Sequence, residues 1–88
     1  MLVIWKANFS GTREQLAKVN TKLAEISKKN GGKVDGPYYA QDADLMWLFW
    51  SDSINAGGRD FLPWVQKEKI PIEPVGWEVG VTEKEFWG

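Results

Sequence analysis

Six consecutive residues, Leu45-Met46-Trp47-Leu48-Phe49-Trp50, are all apolar or aromatic, with Asp44 before them and Ser51-Asp52 behind. A membrane-spanning helix needs about 20 such residues, so this run is far too short to be one. At this length and with these boundaries, Leu45–Ser51 reads as a β-strand. Side chains alternate across a strand, so one side carries Leu45, Trp47 and Phe49 and the other Met46, Leu48 and Trp50. Both sides are apolar, as in a central strand covered on both faces. The chain of 88 residues is the size of one domain, 1–88, and this one domain must place a layer on each side of that strand.

The other elements follow from periodicity. Residues 2–9 alternate as a strand, with Val3, Trp5, Ala7 and Phe9 on one face and Leu2, Ile4, Lys6 and Asn8 on the other. Thr12 and Gln15 form a capping box, and Leu16, Val19, Leu23 and Ile26 recur at helical spacing, which predicts a helix over 13–29. Lys28 and Lys29 suit its negative end, and Asn30-Gly31-Gly32 stops it. Residues 33–40 read as a second strand, weakened by Gly36 and Pro37 and therefore expected at an edge or a bulge. Gln41-Asp42-Ala43-Asp44 joins it to the apolar strand as a hairpin connection. Asp52 or Ser53 then caps a second helix, with Ile54, Phe61, Leu62, Trp64 and Val65 on its apolar side. Gly57-Gly58 weakens the first half of that helix, and Pro63 is expected to kink or restart it. Residues 70–74 are extended around two prolines, and 75–81 form a fourth strand, with Val75, Trp77, Val79 and Val81 opposite Gly76, Glu78 and Gly80. Residues 82–88 are read as a charged C-terminal tail ending in Phe86-Trp87.

The order β-α-β-β-α-β with right-handed crossovers gives an α+β fold of the ferredoxin-like kind. Its expected form is a four-stranded antiparallel sheet in the order 4-1-3-2 with two helices on one face. The helix-facing layer is expected to hold Val3, Trp5, Phe9, Val75, Trp77 and Val79 against the Leu16/Val19/Leu23/Ile26 stripe. The opposite face stays apolar whichever way the third strand points, and Leu2 and Ile4 join it. Large exposed apolar patches mark interfaces or ligand grooves, and two such faces packed as a symmetric homodimer bury one another.

Composition removes whole classes of chemistry. There is no Cys, hence no disulfide, thiolate nucleophile or Cys-ligated zinc. There is no His, the commonest general base and metal ligand. Eleven basic against twelve acidic residues leave no broad footprint for nucleic acid. No apolar run reaches membrane-spanning length, and Met-Leu-Val-Ile-Trp has no basic n-region, so the expected location is the cytoplasm. No cofactor and no metal are implied.

Four stretches carry a likeness to a known family: the opening strand with Trp5, Gly31-Gly32-Lys33-Val34 leading into strand two, Leu45–Trp50 followed by Asp52, and Glu73-Pro74-Val75 leading into strand four. On these the chain resembles small members of the dimeric α+β barrel superfamily, and is similar to its stand-alone domains of unknown function. The resemblance implies a ferredoxin-like protomer and a dimer that closes two sheets into a barrel. That superfamily includes cofactor-independent oxygenases, lactone isomerases and haem-handling enzymes, which often carry a His in the barrel. This chain has none, so no catalytic residue is carried over.

Lys6 and Asn8 on strand one and Glu78 on strand four, flanked by Gly76 and Gly80, are expected on the open face. There Lys6 would hold an anionic group, Asn8 a carbonyl, and Glu78 could act as a base. The plainer alternative is a Lys6–Glu78 cross-strand ion pair. Tyr38 and Tyr39 face opposite ways, so one reaches the open face. Of Trp47 and Trp50, one is core and the other an interface or cavity wall. Asp42 and Asp44 are too few ligands for a hard cation and suit a turn. Gly57-Gly58-Arg59 lacks the rest of a phosphate-binding motif. The lysines of helix one, Lys18 and Lys22 among them, read as a solvated face. The candidate ligand-binding set is therefore Lys6, Asn8, Tyr38, Trp47, Trp50 and Glu78. The expectation is a homodimer binding a small apolar or aromatic ligand between its sheets. The alternatives are a cofactor-independent isomerase or oxygenase of the same fold, or a protein-interaction module using the edge strand or the Phe86-Trp87 tail.

Overall fold

A computed structural model describes residues 1–50 and 56–88. Strand β1 spans Leu2–Phe9, helix α1 Arg13–Lys29, β2 Lys33–Tyr39, β3 Leu45–Trp50, α2 Ala56–Glu68, β4 Ile72–Gly80, and a one-turn helix α3 Glu83–Trp87. The strands form one antiparallel sheet in the order β2-β3-β1-β4, which read from its other edge is 4-1-3-2.

The boundaries of α1 follow its local chemistry. Thr12 Oγ1 accepts the Gln15 backbone N–H at 3.1 Å, and Gln15 Oε1 accepts the Thr12 N–H at 3.0 Å. These two bonds satisfy donors that a helix start leaves without partners. At the other end the Asn30 N–H bonds to the Ile26 and Ser27 carbonyls, and Gly31 turns away at φ 72°, which a side chain would resist.

β3 lies between β2 and β1, and its period-two alternation is resolved by Trp47. Trp47 is 1% exposed, opposite Trp5 in the β1–β3 ladder, with the two ring centroids 5.2 Å apart. Phe61 of α2 meets Trp5 edge-on at 5.3 Å, a favoured aromatic geometry. Val19, Leu23 and Ile26 of α1 and Val65 of α2 complete the same core, so both helices cover the Trp5/Trp47 face. The Trp47 indole N–H donates to Asn20 Oδ1 of α1 at 3.1 Å, so the deepest ring leaves no donor without a partner.

Several expectations are corrected. The helical layer does not extend over β4: only Ile72 joins the core, and Val75, Trp77 and Val79 are exposed, Trp77 by 59%. The reason is where the helices are anchored, over β1 and β3 through Trp5, Trp47 and Phe61. Within α2, Leu62 is exposed while Phe61 and Val65 are buried, and the helix runs through Pro63. β4 starts at Ile72 and includes Pro74, which an edge strand tolerates. A register shift between Lys6 and Ala7 makes Val75 the extra residue of β4. The C-terminal tail holds helix α3, started by a second capping box in which Thr82 and Glu85 bond reciprocally at 3.1 Å. The expected cap at Asp52 or Ser53 and the apolar contribution of Ile54 lie outside the described residues.

Thr12→Ala removes one half of the α1 capping box and is expected to cost about 1 kcal/mol. For a chain of this size that lowers the thermal midpoint by roughly 4–8 °C, measured by circular dichroism.

Candidate functional site on the open sheet face

With Trp47 inside, the ladders assign the other face. Leu2, Ile4, Lys6 and Asn8 come from β1, Met46, Leu48 and Trp50 from β3, Lys33, Asp35 and Tyr38 from β2, and Gly76, Glu78 and Gly80 from β4. The middle of this face is apolar. Leu2, Ile4, Met46 and Leu48 are half-buried, and Trp50 at the end of β3 is 44% exposed. Beside Ile4 and Leu2 the β4 surface is low. A Cβ placed on Gly76 would meet nothing within 4 Å, and one on Gly80 would meet only the Leu2 carbonyl oxygen at 4.0 Å. The face thus has an apolar floor and a shallow trough along β4.

The polar candidates do not gather in that trough. Lys6 Nζ lies 3.1 Å from Asp42 Oδ2 in the β2–β3 connection. Glu78 stands opposite Ile4 and Lys6 opposite Gly76, so the expected Lys6–Glu78 ion pair gives way to Lys6–Asp42. Asn8 is likewise held, its Oδ1 accepting the Asp44 N–H at 3.1 Å while Asp44 Oδ2 accepts the Phe9 N–H at 2.9 Å. The Tyr38 hydroxyl donates to Asp35 Oδ2. That bond to a carboxylate, with some loss of hydration, raises the Tyr38 pKa and keeps the phenol protonated. Of the six candidates, Trp47 belongs to the core, Trp50 and Glu78 stand on the open face, and Lys6, Asn8 and Tyr38 are bonded to the chain's own groups.

Asp42 and Asp44 are the residues that sequence reading placed in a turn without partners. Running the antiparallel register outward from Trp5–Trp47 brings Lys6 to Met46 and Ala7 to Leu45, and the next step brings Asn8 to Asp44. The signal was present in the pairing, not in any motif. Asn20, the acceptor for Trp47, was hidden because a single Asn among Lys and Thr on α1 looks like solvent-facing polarity.

On the helical side, Lys18, Lys22, Glu25, Trp64 and Glu68 border a shallow groove of about 410 Å³ between α1 and α2. The Lys22 ammonium sits 6.0 Å from the Trp64 ring centroid, a cation–π distance. Charges of both signs alternate along it, which suits a solvated seam between helices. Among the described residues no three His, Cys, Asp or Glu side chains gather as metal ligands, and no helix is long and apolar enough to cross a membrane.

No family model, no curated protein and no solved structure matches the chain. The fold itself is a four-stranded antiparallel sheet with helices, compatible with the ferredoxin-like α+β class.

The Lys6 ammonium, together with the backbone N–H of Asp42 itself, holds the Asp42 carboxyl below its ordinary pKa. A lowered folded-state value means that the clasp contributes stability above the ordinary aspartate range. It is lost as pH falls through the lowered value. In Lys6→Met the Asp42 carboxyl is expected to titrate at higher pH, back toward the ordinary range, followed by carboxyl carbon NMR. An unchanged titration would show that Lys6 does not hold Asp42 in solution.

Proposed function

We propose that the open sheet face is the interface of a homodimer of the dimeric α+β barrel type. Between the facing sheets, the low surface along β4 admits a small apolar or aromatic ligand. A cytoplasmic location belongs to this reading. The observation that carries it is the alternation of β3: a strand with Trp47 and Leu45 packed under helices has Met46, Leu48 and Trp50 on its opposite face, where none of the three is fully buried. Its neighbours there, Leu2 and Ile4, are apolar as well.

The total surface supports the same reading. A folded monomer of this mass exposes roughly 5,200 Å². This chain exposes 6283 Å². The excess of roughly 1,000 Å² exceeds the ~800 Å² that each partner buries in a standard interface. The extents of 43 × 29 × 16 Å describe a slab, thin across the single helical layer and the bare sheet.

Binding is favoured over catalysis by the state of the polar groups. Lys6, Asn8 and Tyr38 are engaged with Asp42, Asp44 and Asp35, so a ligand meeting this face meets mainly Ile4, Leu48, Trp50 and the glycine trough, with Glu78 as the carboxylate beside it. Such a lining selects by shape and apolar area.

Native mass spectrometry tests the reading. The wild-type chain is expected at an even multiple of its mass, with additional mass where a ligand is retained. Leu48→Lys is expected to halve the assembly. In the folded protomer the new ammonium stands opposite Asp35 of β2 and is tolerated there, whereas facing its own copy it repels. A bare monomer at micromolar wild-type concentration overturns the proposal.

A further inference from the structure

The two edges of the sheet are built differently. Edge strand β2 is blunted in several ways. Its ladder with β3 is interrupted between Asp35 and Tyr38, Pro37 has no N–H to offer, and Lys33 and Asp35 carry opposite charges. Gly36 adopts φ 129°, and a Cβ there would lie 3.0 Å from the Met46 carbonyl oxygen, so the break is fixed in the backbone. Edge strand β4 has no such protection over its second half. Gly76-Trp77-Glu78-Val79-Gly80 runs in unbroken register with β1 from Lys6 to Leu2 and contains no Lys, no Pro and no bulge. Its helix-side surface carries the exposed Trp77 and Val79, and Val75, the extra residue at the bulge, is exposed next to them.

We infer that β4 pairs edge to edge with β4 of a second copy, antiparallel about a twofold axis at Trp77, and so joins two sheets into one of eight strands. The sequence of the strand selects this partner and this register. With Trp77 opposite the partner's Trp77, Val79 stands beside the partner's Val75 and Glu78 beside the partner's Gly76. The apolar stripe then continues across the seam, and the carboxylate meets a residue without a side chain. Moving the axis by one residue toward the C-terminus sets Glu78 against the partner's Glu78, a like-charge pair that is destabilising. Moving it the other way sets Glu78 against the partner's Pro74, inside the strand, whereas with Trp77 on the axis only Gly80, the last residue of β4, meets Pro74.

The edge pairing is independent of the open-face proposal, and only the size of the assembly depends on both. An edge-paired twofold axis runs perpendicular to the sheet, whereas the axis of a face-to-face dimer lies parallel to it. Two isologous interfaces with perpendicular, intersecting axes close as a tetramer. The low trough of Gly76 and Gly80 lies on the same strand, so the edge seam borders the open face.

Four full-length proteins, each checked by far-UV circular dichroism for retained fold, separate the two interfaces by solution mass. Val79→Lys places a charge on the edge stripe at an exposed position, and Leu48→Lys does so on the open face. The expected masses are tetramer for wild type, dimer for each single variant and monomer for the double variant. A wild-type dimer that Val79→Lys leaves intact and Leu48→Lys splits overturns the edge pairing and retains the open-face dimer; β4 is then free for an extended segment of another protein. A wild-type dimer split by Val79→Lys alone retains the edge pairing and overturns the open-face dimer, and a wild-type monomer overturns both. The chain contains no Cys, so an engineered thiol reports only its own neighbours. On oxidation, Trp77→Cys is expected to give at least tenfold more disulfide-linked dimer than Tyr39→Cys on β2, in wild-type and Leu48→Lys backgrounds alike. Equal yields at the two positions overturn the register.

Discussion

The burial of Trp47 is the constraint on which the rest of this structure depends. A strand offers only two orientations, one residue apart, and each inverts the whole strand. β3 is apolar on both sides, so hydrophobicity alone does not choose between them. The choice is made by fit on the helical side: Trp5 stands opposite in the ladder, Phe61 closes on Trp5 from α2, and Asn20 accepts the one polar hydrogen the ring carries. Placing Trp50 and Leu48 inside would forfeit that acceptor, and a buried donor without a partner costs about 1–3 kcal/mol. Once Trp47 is in, Met46, Leu48 and Trp50 are out, and the open face has its chemistry.

The same core sets where the helices stop. Anchored over β1 and β3, α1 and α2 leave β4 covered only at Ile72. Among the described residues, apolar surface is therefore left exposed or half-buried in two directions: perpendicular to the sheet on the open face, and sideways along the second half of β4. Both follow from one packing decision. A small domain buries a smaller fraction of its surface than a larger one, and assembly is a common way to make up the difference.

Much of this was legible in the sequence, and the exceptions share a cause. The capping box at Thr12 and Gln15, the Leu16-to-Ile26 stripe and the Gly31 stop define α1 by interactions within four residues, and the helix stands at 13–29 as read. The second capping box, Thr82 to Glu85, has the same pattern, but the five-residue helix it starts has no apolar stripe that would mark it as helical in the sequence. What local pattern does not encode is which apolar strand face a helix reaches. Val75, Trp77 and Val79 alternate as cleanly as Trp5, Ala7 and Phe9, yet only the β1 set lies under the helices. The partners of Lys6 and Asn8 were similarly out of reach. They are separated from Asp42 and Asp44 by 36 residues in both cases, and only the ladder between β1 and β3 brings them together.

Those long-range contacts also bear on what the open face is for. A catalytic site keeps charged or hydrogen-bonding groups poised toward the reacting atoms. Here Asp42 takes the Lys6 ammonium, and Asp44 is bonded both to Asn8 and to the backbone of Phe9, so the rim's polar groups brace the end of β1 against the β2–β3 connection. Asp35 does the same for the Tyr38 hydroxyl within β2. These three carboxylates neutralise or orient a neighbour, and Glu78 stands between the two glycines beside the apolar floor. In the homodimer proposed above, a twofold axis would set Leu48 and Ile4 against the same residues of the second copy in reverse order, so apolar floor would meet apolar floor.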